Sequence, residues 1–151
     1  MKFIQLLLLT LFVISISCNK GKFTTVPQVK IESIKPETVF SGSIITVAGN
    51  FTDEEGDVDS VFVVRKYFAG AIATKIDTLE KISITNFNIP PKTREAGITL
   101  TYEYNTNNNP SLRFLPGVSK DTTATFGFVL KDKAANRSVF AESKPIRLKK
   151  P

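Results

Sequence analysis

The chain has no histidine and no tryptophan, and it carries a single cysteine, Cys18. Without histidine, neither a Ser-His-Asp triad nor a histidine metal site can be assembled. A lone cysteine forms no disulfide within the chain and no zinc-thiolate cluster. Any catalysis would have to run on carboxylates, tyrosines or Ser-Lys pairs, so no enzyme is expected. The formal charge is +6, yet the lysines and arginines are scattered apart from Lys149-Lys150 at the tail. Nucleic-acid binding needs a basic patch or stripe, and none is expected here.

What the chain does have begins at Met1. Lys2 gives a short positive start, Phe3 to Ile16 is an almost unbroken apolar run, and Ser15-Ile16-Ser17 bring small residues up to Cys18. Charge, apolar core and small-residue cleavage site in that order predict a secretory signal peptide over residues 1–17. The run is shorter than the ~20 apolar residues of a spanning helix. The chain left after cleavage, Cys18 to Pro151, is long enough for one domain with a real core. Residues 18–27 read as a polar tether ending at Pro27, with a reach of at most roughly 30 Å, and residues 28–151 as the folded domain.

The phrase Ser15-Ile16-Ser17-Cys18 resembles the lipobox of bacterial lipoproteins. The resemblance implies cleavage before Cys18 and attachment of lipid to its sulfur and amino group, which commits the one thiol to an anchor. In Bacteroidota-type lipoproteins, acidic residues just after the cysteine favour export to the cell surface. Asn19-Lys20-Gly21-Lys22 contains no acid, so the implied location is the cell envelope, on the periplasmic side of the outer membrane.

From Gln28 onward the pattern is all-β. Short β-branched and aromatic runs are separated by Gly, Pro, Asn and Asp clusters, with no sustained 3.6-residue period. The expected strands are a first one closed by Pro36, then Ile44 to Ala48, and Val58 to Tyr67, which is too apolar on both faces to be an edge. Ile72 to Ile89 reads as one long strand, bulged near Asp77-Thr78. Ile98 to Tyr104 and Thr123 to Lys131 follow, the latter with Ala124, Phe126, Phe128 and Leu130 inward. A last strand, Ser138 to Leu148, would run at an edge, as Pro145 suggests. Seven strands of this kind predict an Ig-like Greek-key β-sandwich. Gly49 to Val61 resembles an acidic turn common in Ig-like domains of Bacteroidota lipoproteins. Leu130 to Ser138 resembles the D-x-A-G-N turn of bacterial Ig-like domains, with Ala135 in place of the usual glycine, which predicts a distorted turn.

Three stretches carry candidate sites. Asp53, Glu55, Asp57 and Asp59 cluster around Gly56, and hard oxygen ligands of this kind suit Ca²⁺. An immunoglobulin sandwich would bring Asp132 and Asn136 to the same end. The spacing is not that of an EF-hand, and an ordinary solvated hairpin is the alternative. The long connection Asn105 to Asp121 is the second stretch. Its apolar residues Leu112, Phe114, Leu115 and Val118 either fold back to plug the end of the sandwich or form a surface there. Strand parity places Arg113, Phe114 and Leu115 beside Tyr67 and Phe68, at the end away from the tether, for an envelope protein or a glycan. That parity inverts if Ile72 to Ile89 is two strands. Third, Asp59-Ser60-Val61, Asp77-Thr78-Leu79 and Asp121-Thr122-Thr123 resemble the D-[ST]-aliphatic/Thr sites of Bacteroidota O-glycosylation, with Ser60, Thr78 and Thr122 as acceptors. The functional expectation is a membrane-anchored, non-enzymatic binding or scaffolding module. The alternatives are a carbohydrate-binding module stacking sugars on Tyr67, Phe68 and Phe114, a Ca²⁺-dependent adhesion-type domain, and a carboxylate-driven hydrolase at Asp53 to Asp59.

Overall fold

The computed structural model describes residues 23–151; the expectations for the signal peptide, for Cys18 and for the first part of the tether lie outside the described residues. Within them the regular structure is strand, apart from one 3-10 turn. In chain order the elements are β1 (Gln28–Lys35), β2 (Thr38–Val39), β3 (Ile44–Thr52), β4 (Val58–Ala69), β5 (Ile72–Ser83), the 3-10 turn Ile84–Phe87, β6 (Glu95–Tyr104), β7 (Arg113–Leu115), β8 (Thr122–Asp132), β9 (Ala141–Glu142) and β10 (Ile146–Leu148).

These strands form two mixed sheets packed as a β-sandwich. One has the order β1-β3-β6-β7, the other β2-β10-β8-β4-β5, with β9 also paired to β8. All pairings are antiparallel except β2 with β10 and β6 with β7. Alternation of side chains along each strand decides what fills the space between the sheets. Ile45, Val47 and Phe51 of β3 and Ile98, Leu100, Tyr102 and Tyr104 of β6 are buried from one side. Val61 and Val63 of β4 and Ala124, Phe126, Phe128 and Leu130 of β8 meet them from the other. Burying a large apolar side chain of this kind contributes about 1.5–3 kcal/mol, so the interlayer core is the main source of cohesion.

Most of the expected strands are present, and β4 is central, flanked by β8 and β5. Where the pattern slips, a bulge accounts for it. β1 shifts register between Ile31 and Ser33, which turns Ile34 instead of Ser33 toward the core. β5 carries two such shifts against β4, and it stops at Ser83 well short of Ile89, because the chain winds into the 3-10 turn before Pro90-Pro91.

The expected last strand needs correcting. It is broken into an isolated bridge at Arg137, then β9, then β10, with Pro145 in the gap. Proline has no N–H for the ladder, and Ser143 fills in with its Oγ accepting from the Phe126 N–H at 3.0 Å. Nor does β10 run at the sheet edge, because β2 covers it, with the Arg147 N–H donating to the Glu37 carbonyl and the Lys149 N–H to that of Val39.

The two ends of the sandwich carry different loops. The Gly42 N–H donates to the Tyr104 carbonyl at 2.8 Å, and Asn105 Nδ2 to Ser41 Oγ, which joins the β2–β3 turn to the start of the long connection at one end. At the other end the Asp53 N–H donates to the Arg94 carbonyl and the Lys133 N–H to that of Asp57. Strand parity therefore runs as expected.

Candidate functional site

Two turns meet at the second end. The first follows β3 and is bent by Gly56, whose φ is +65°. A Cβ at Gly56 would lie 2.5 Å from the Lys92 carbonyl carbon, so both the backbone angle and the crowding require glycine. The bend turns the chain back so that the Asp57 N–H donates to Asp53 Oδ2 at 2.8 Å. The second turn follows β8. Asp132 holds it closed by accepting from the Asn136 N–H through Oδ1 (2.8 Å) and from the Asn136 side-chain amide through Oδ2 (2.7 Å).

Asp53, Asp57 and Asp132 thus converge, with one carboxylate oxygen of each lying within 4.8 Å of the others. Asp53 is fully buried and Asp132 is 2% exposed. The Asp53 Oδ1 atom is buried without a hydrogen-bond partner among the described residues. Leaving such an acceptor unsatisfied costs about 1–3 kcal/mol. Burial first, and then the negative charges of Asp57, Glu55 and Asp132, push the Asp53 carboxyl above its ordinary value against the pull of the Asp57 N–H. The ion pairs among the described residues all lie elsewhere, so no lysine or arginine among those residues neutralises the three. This arrangement can accept a proton or a hard cation.

Of the six residues expected as metal ligands, the fold brings together Asp53, Asp57 and Asp132. Glu55 is exposed on the outside of the turn, and Asp59 sits on β4 outside the cluster. Asn136 is a positioning residue, since its amide orients Asp132. The entering chain also reaches this end: the Thr24 carbonyl accepts from the Glu54 N–H at 3.1 Å, and the Arg94 guanidinium stacks 4.3 Å from the Phe23 ring.

The distal apolar cluster is only partly a surface. Phe114 is 51% exposed and lines a groove with Ile76, Arg113 and Pro116, but Leu115 is a core residue, 1% exposed. Tyr67 is half-buried beneath the Arg65 guanidinium, 4.5 Å from its ring centroid, and Phe68 is half-buried on the other side of the hairpin. Of the three proposed glycan acceptors, Thr78 is exposed and Thr122 half-buried. Ser60 is corrected: it is 1% exposed near the start of β4, so its hydroxyl is not reachable in the folded domain.

Sequence reasoning missed a polar network across the open side of the sandwich. Glu80 on β5 accepts from the Tyr102 hydroxyl at 2.5 Å and from Arg113 Nη1 at 2.6 Å, which ties the edge of one sheet to the edge of the other. Arg65 lies next to it, 6% exposed, with Nη2 3.6 Å from Asp77. A signal was available: after Val61 and Val63, parity along β4 turns Arg65 inward, and a buried arginine implies partners.

No family model and no curated protein matches the chain. Among solved structures it is similar to Spo0M, a sporulation control protein from Bacillus subtilis, at 10% identity and a TM-score of 0.43 over 80% of this chain. The chain spans about half (49%) of that structure's length. It is also similar to a structural-genomics target, SoR45, at 10% identity and a TM-score of 0.30, covering 87% of this chain and 91% of that one.

Proposed function

We propose that this chain is a lipid-anchored lipoprotein of the bacterial cell envelope whose one Ig-like sandwich works as a non-enzymatic binding or scaffolding module. The Ig-like reading is supported by the partition of the strands: β1, β3 and β6 share one sheet, and β4, β8 and β10 the other, as the first, second and fifth and the third, sixth and seventh strands do in that fold. The anchor is Cys18, at the end of a signal peptide over residues 1–17. One observation carries the functional reading: the contact of Thr24 with Glu54 brings the chain into the sandwich at its acidic end. The Phe114 groove, nearer the opposite end, is therefore displayed away from the membrane. Buried methylenes contribute about 0.8 kcal/mol each, so two or three acyl chains hold the domain there. The absence of acid after Cys18 favours the periplasmic face of the outer membrane.

The partner is read as an envelope protein in preference to a glycan. Of the three rings expected to stack on sugar, Tyr67 is covered by Arg65 and Phe68 is half-buried, which leaves Phe114 alone. Metabolic labelling with a clickable palmitate analogue tests the anchor. Label on the mature protein and its loss, together with membrane fractionation, in Cys18→Ser are expected; an unlabelled mature protein overturns the reading.

A further inference from the structure

We propose that Asp53, Asp57 and Asp132 hold a divalent cation of the calcium class, which clamps the β3–β4 and β8–β9 turns together. This stands on the geometry of the sandwich end and is independent of the lipid anchor. Three carboxylates converge on one point with no lysine or arginine partner among the described residues, and one of them is buried with an oxygen that meets no donor there. Carboxylates normally leave the solvent only when paired or bound to metal.

The spacing fits an ion. Calcium–oxygen distances are about 2.3–2.6 Å, so ligands on opposite sides of the ion lie roughly 5 Å apart. Three oxygens all within 4.8 Å of one another can therefore share a single coordination shell. The donor set chooses the class of metal. With no histidine in the chain and no cysteine among the described residues, soft or nitrogen-preferring metals find no ligand in this cluster. Magnesium, which keeps several waters and demands octahedral geometry, is less suited to buried carboxylates on two separate turns.

The surroundings are built to hold these oxygens still. Gly56 permits the bend that returns Asp57 to Asp53, and Asn136 fixes the plane of the Asp132 carboxylate while leaving its oxygens further lone pairs. The Lys133 N–H to Asp57 carbonyl bond already bridges the turns through the backbone. An ion would add a second bridge through the side chains. Because Glu54 also receives the entering chain, the clamp lies where the tether joins the domain. The competing solution is a proton on Asp53, shared with its neighbours, and the experiment separates the two.

The mature protein, purified in detergent and stripped with chelator, is titrated with CaCl₂ and followed by calorimetry and thermal unfolding, alone and as Asp53→Asn and Asp57→Asn. The expected result is saturable binding with Kd of about 10⁻³ M or tighter, and a Tm higher by roughly 5 °C or more at saturation. Each variant should weaken binding by at least about tenfold. Asp57 is half-exposed, so Asp57→Asn keeps the test alive if Asp53→Asn does not fold. No heat and no Tm shift with the unsubstituted protein overturns the proposal, as does a calcium response undiminished in the variants. An equal Tm shift with magnesium or with matched NaCl overturns it too, by marking screening of surface charge.

Discussion

Three positions with positive φ, two of them in the turns that build the acidic end and one in a hairpin at the opposite end, allow a controlled measurement of backbone strain. Ala135 sits at φ 72°, in the turn between Asp132 and Asn136, where the left-handed conformation costs an L-residue about 1–2 kcal/mol. Replacing it by glycine removes that cost but frees the unfolded chain, which takes back about 0.4–1 kcal/mol. Ala135→Gly is therefore expected to stabilise the domain by about 0.5–1 kcal/mol, or roughly 2–4 °C in Tm. Gly70, at φ 62° in the β4–β5 hairpin, gives the reverse experiment: a Cβ there meets nothing within 4 Å, so Gly70→Ala should lose about the same amount through conformation alone. Gly56→Ala combines the same strain with a Cβ 2.5 Å from the Lys92 backbone, and displacing packed backbone adds roughly 1–3 kcal/mol. Urea unfolding with an unchanged m-value is the assay. Ala134→Gly is the control, because Ala134 is not at positive φ, and it should destabilise by a few tenths to about 1 kcal/mol. If Ala135→Gly lowers stability as Ala134→Gly does, Ala135 is not left-handed in solution and the account of this turn fails.

Tyr102→Phe removes the hydroxyl that donates to Glu80, from a side chain 2% exposed. It should cost about 1–2 kcal/mol in urea unfolding, since Arg113 still holds the other carboxylate oxygen; no change would mean that the network does not tie the sheets. In chelator, stability should also report on Asp53. Its folded pKa is raised, so the native state binds the proton more tightly than the unfolded chain, and the stabilisation is complete below the unfolded carboxylate pKa near 4. It declines as pH rises through the folded value. The difference in unfolding free energy between the unsubstituted protein and Asp53→Asn should accordingly move in favour of the variant as pH rises above about 4, and a flat difference would refute the assignment.

How much of this fold can be read from the chain depends on whether burial follows period two. β3 alternates cleanly, and in β6 and β8 the apolar residues alternate although Glu103, Thr125 and Gly127 between them are buried as well. The inward sets Ile98, Leu100, Tyr102, Tyr104 and Ala124, Phe126, Phe128, Leu130 are therefore legible in the residue pattern alone. β2 and β7 are two and three residues long, too short to show a period. Each exists only because a neighbouring strand offers an unpaired edge, which is a tertiary property. Leu115 illustrates the consequence. The residues alone mark it only as one of four apolar groups, with Leu112, Phe114 and Val118, that could plug the sandwich end; pairing of β7 with β6 turns Leu115 into the core while leaving Phe114 outside.

The acidic end was legible as a place but not as a set of ligands. Composition marks residues 53–59 as carboxylate-rich around a glycine, and topology brings in the 132–136 turn. Which oxygens lose their water is decided by details that no local pattern encodes: the Arg94 carbonyl that receives the Asp53 N–H, the Lys92 backbone pressed against Gly56, and Thr24 arriving beside Glu54. Those contacts bury Asp53 and leave Glu55 in solvent, although the two differ in sequence only by two positions and one methylene. A buried carboxylate oxygen without a donor is costly in any folded domain, and a surface turn composed only for its geometry has no need of one. The cost becomes intelligible if the oxygen has a partner in the working protein. A proton on Asp53 can be shared with one neighbouring carboxylate at a time, whereas a hard cation draws on Asp53, Asp57 and Asp132 together.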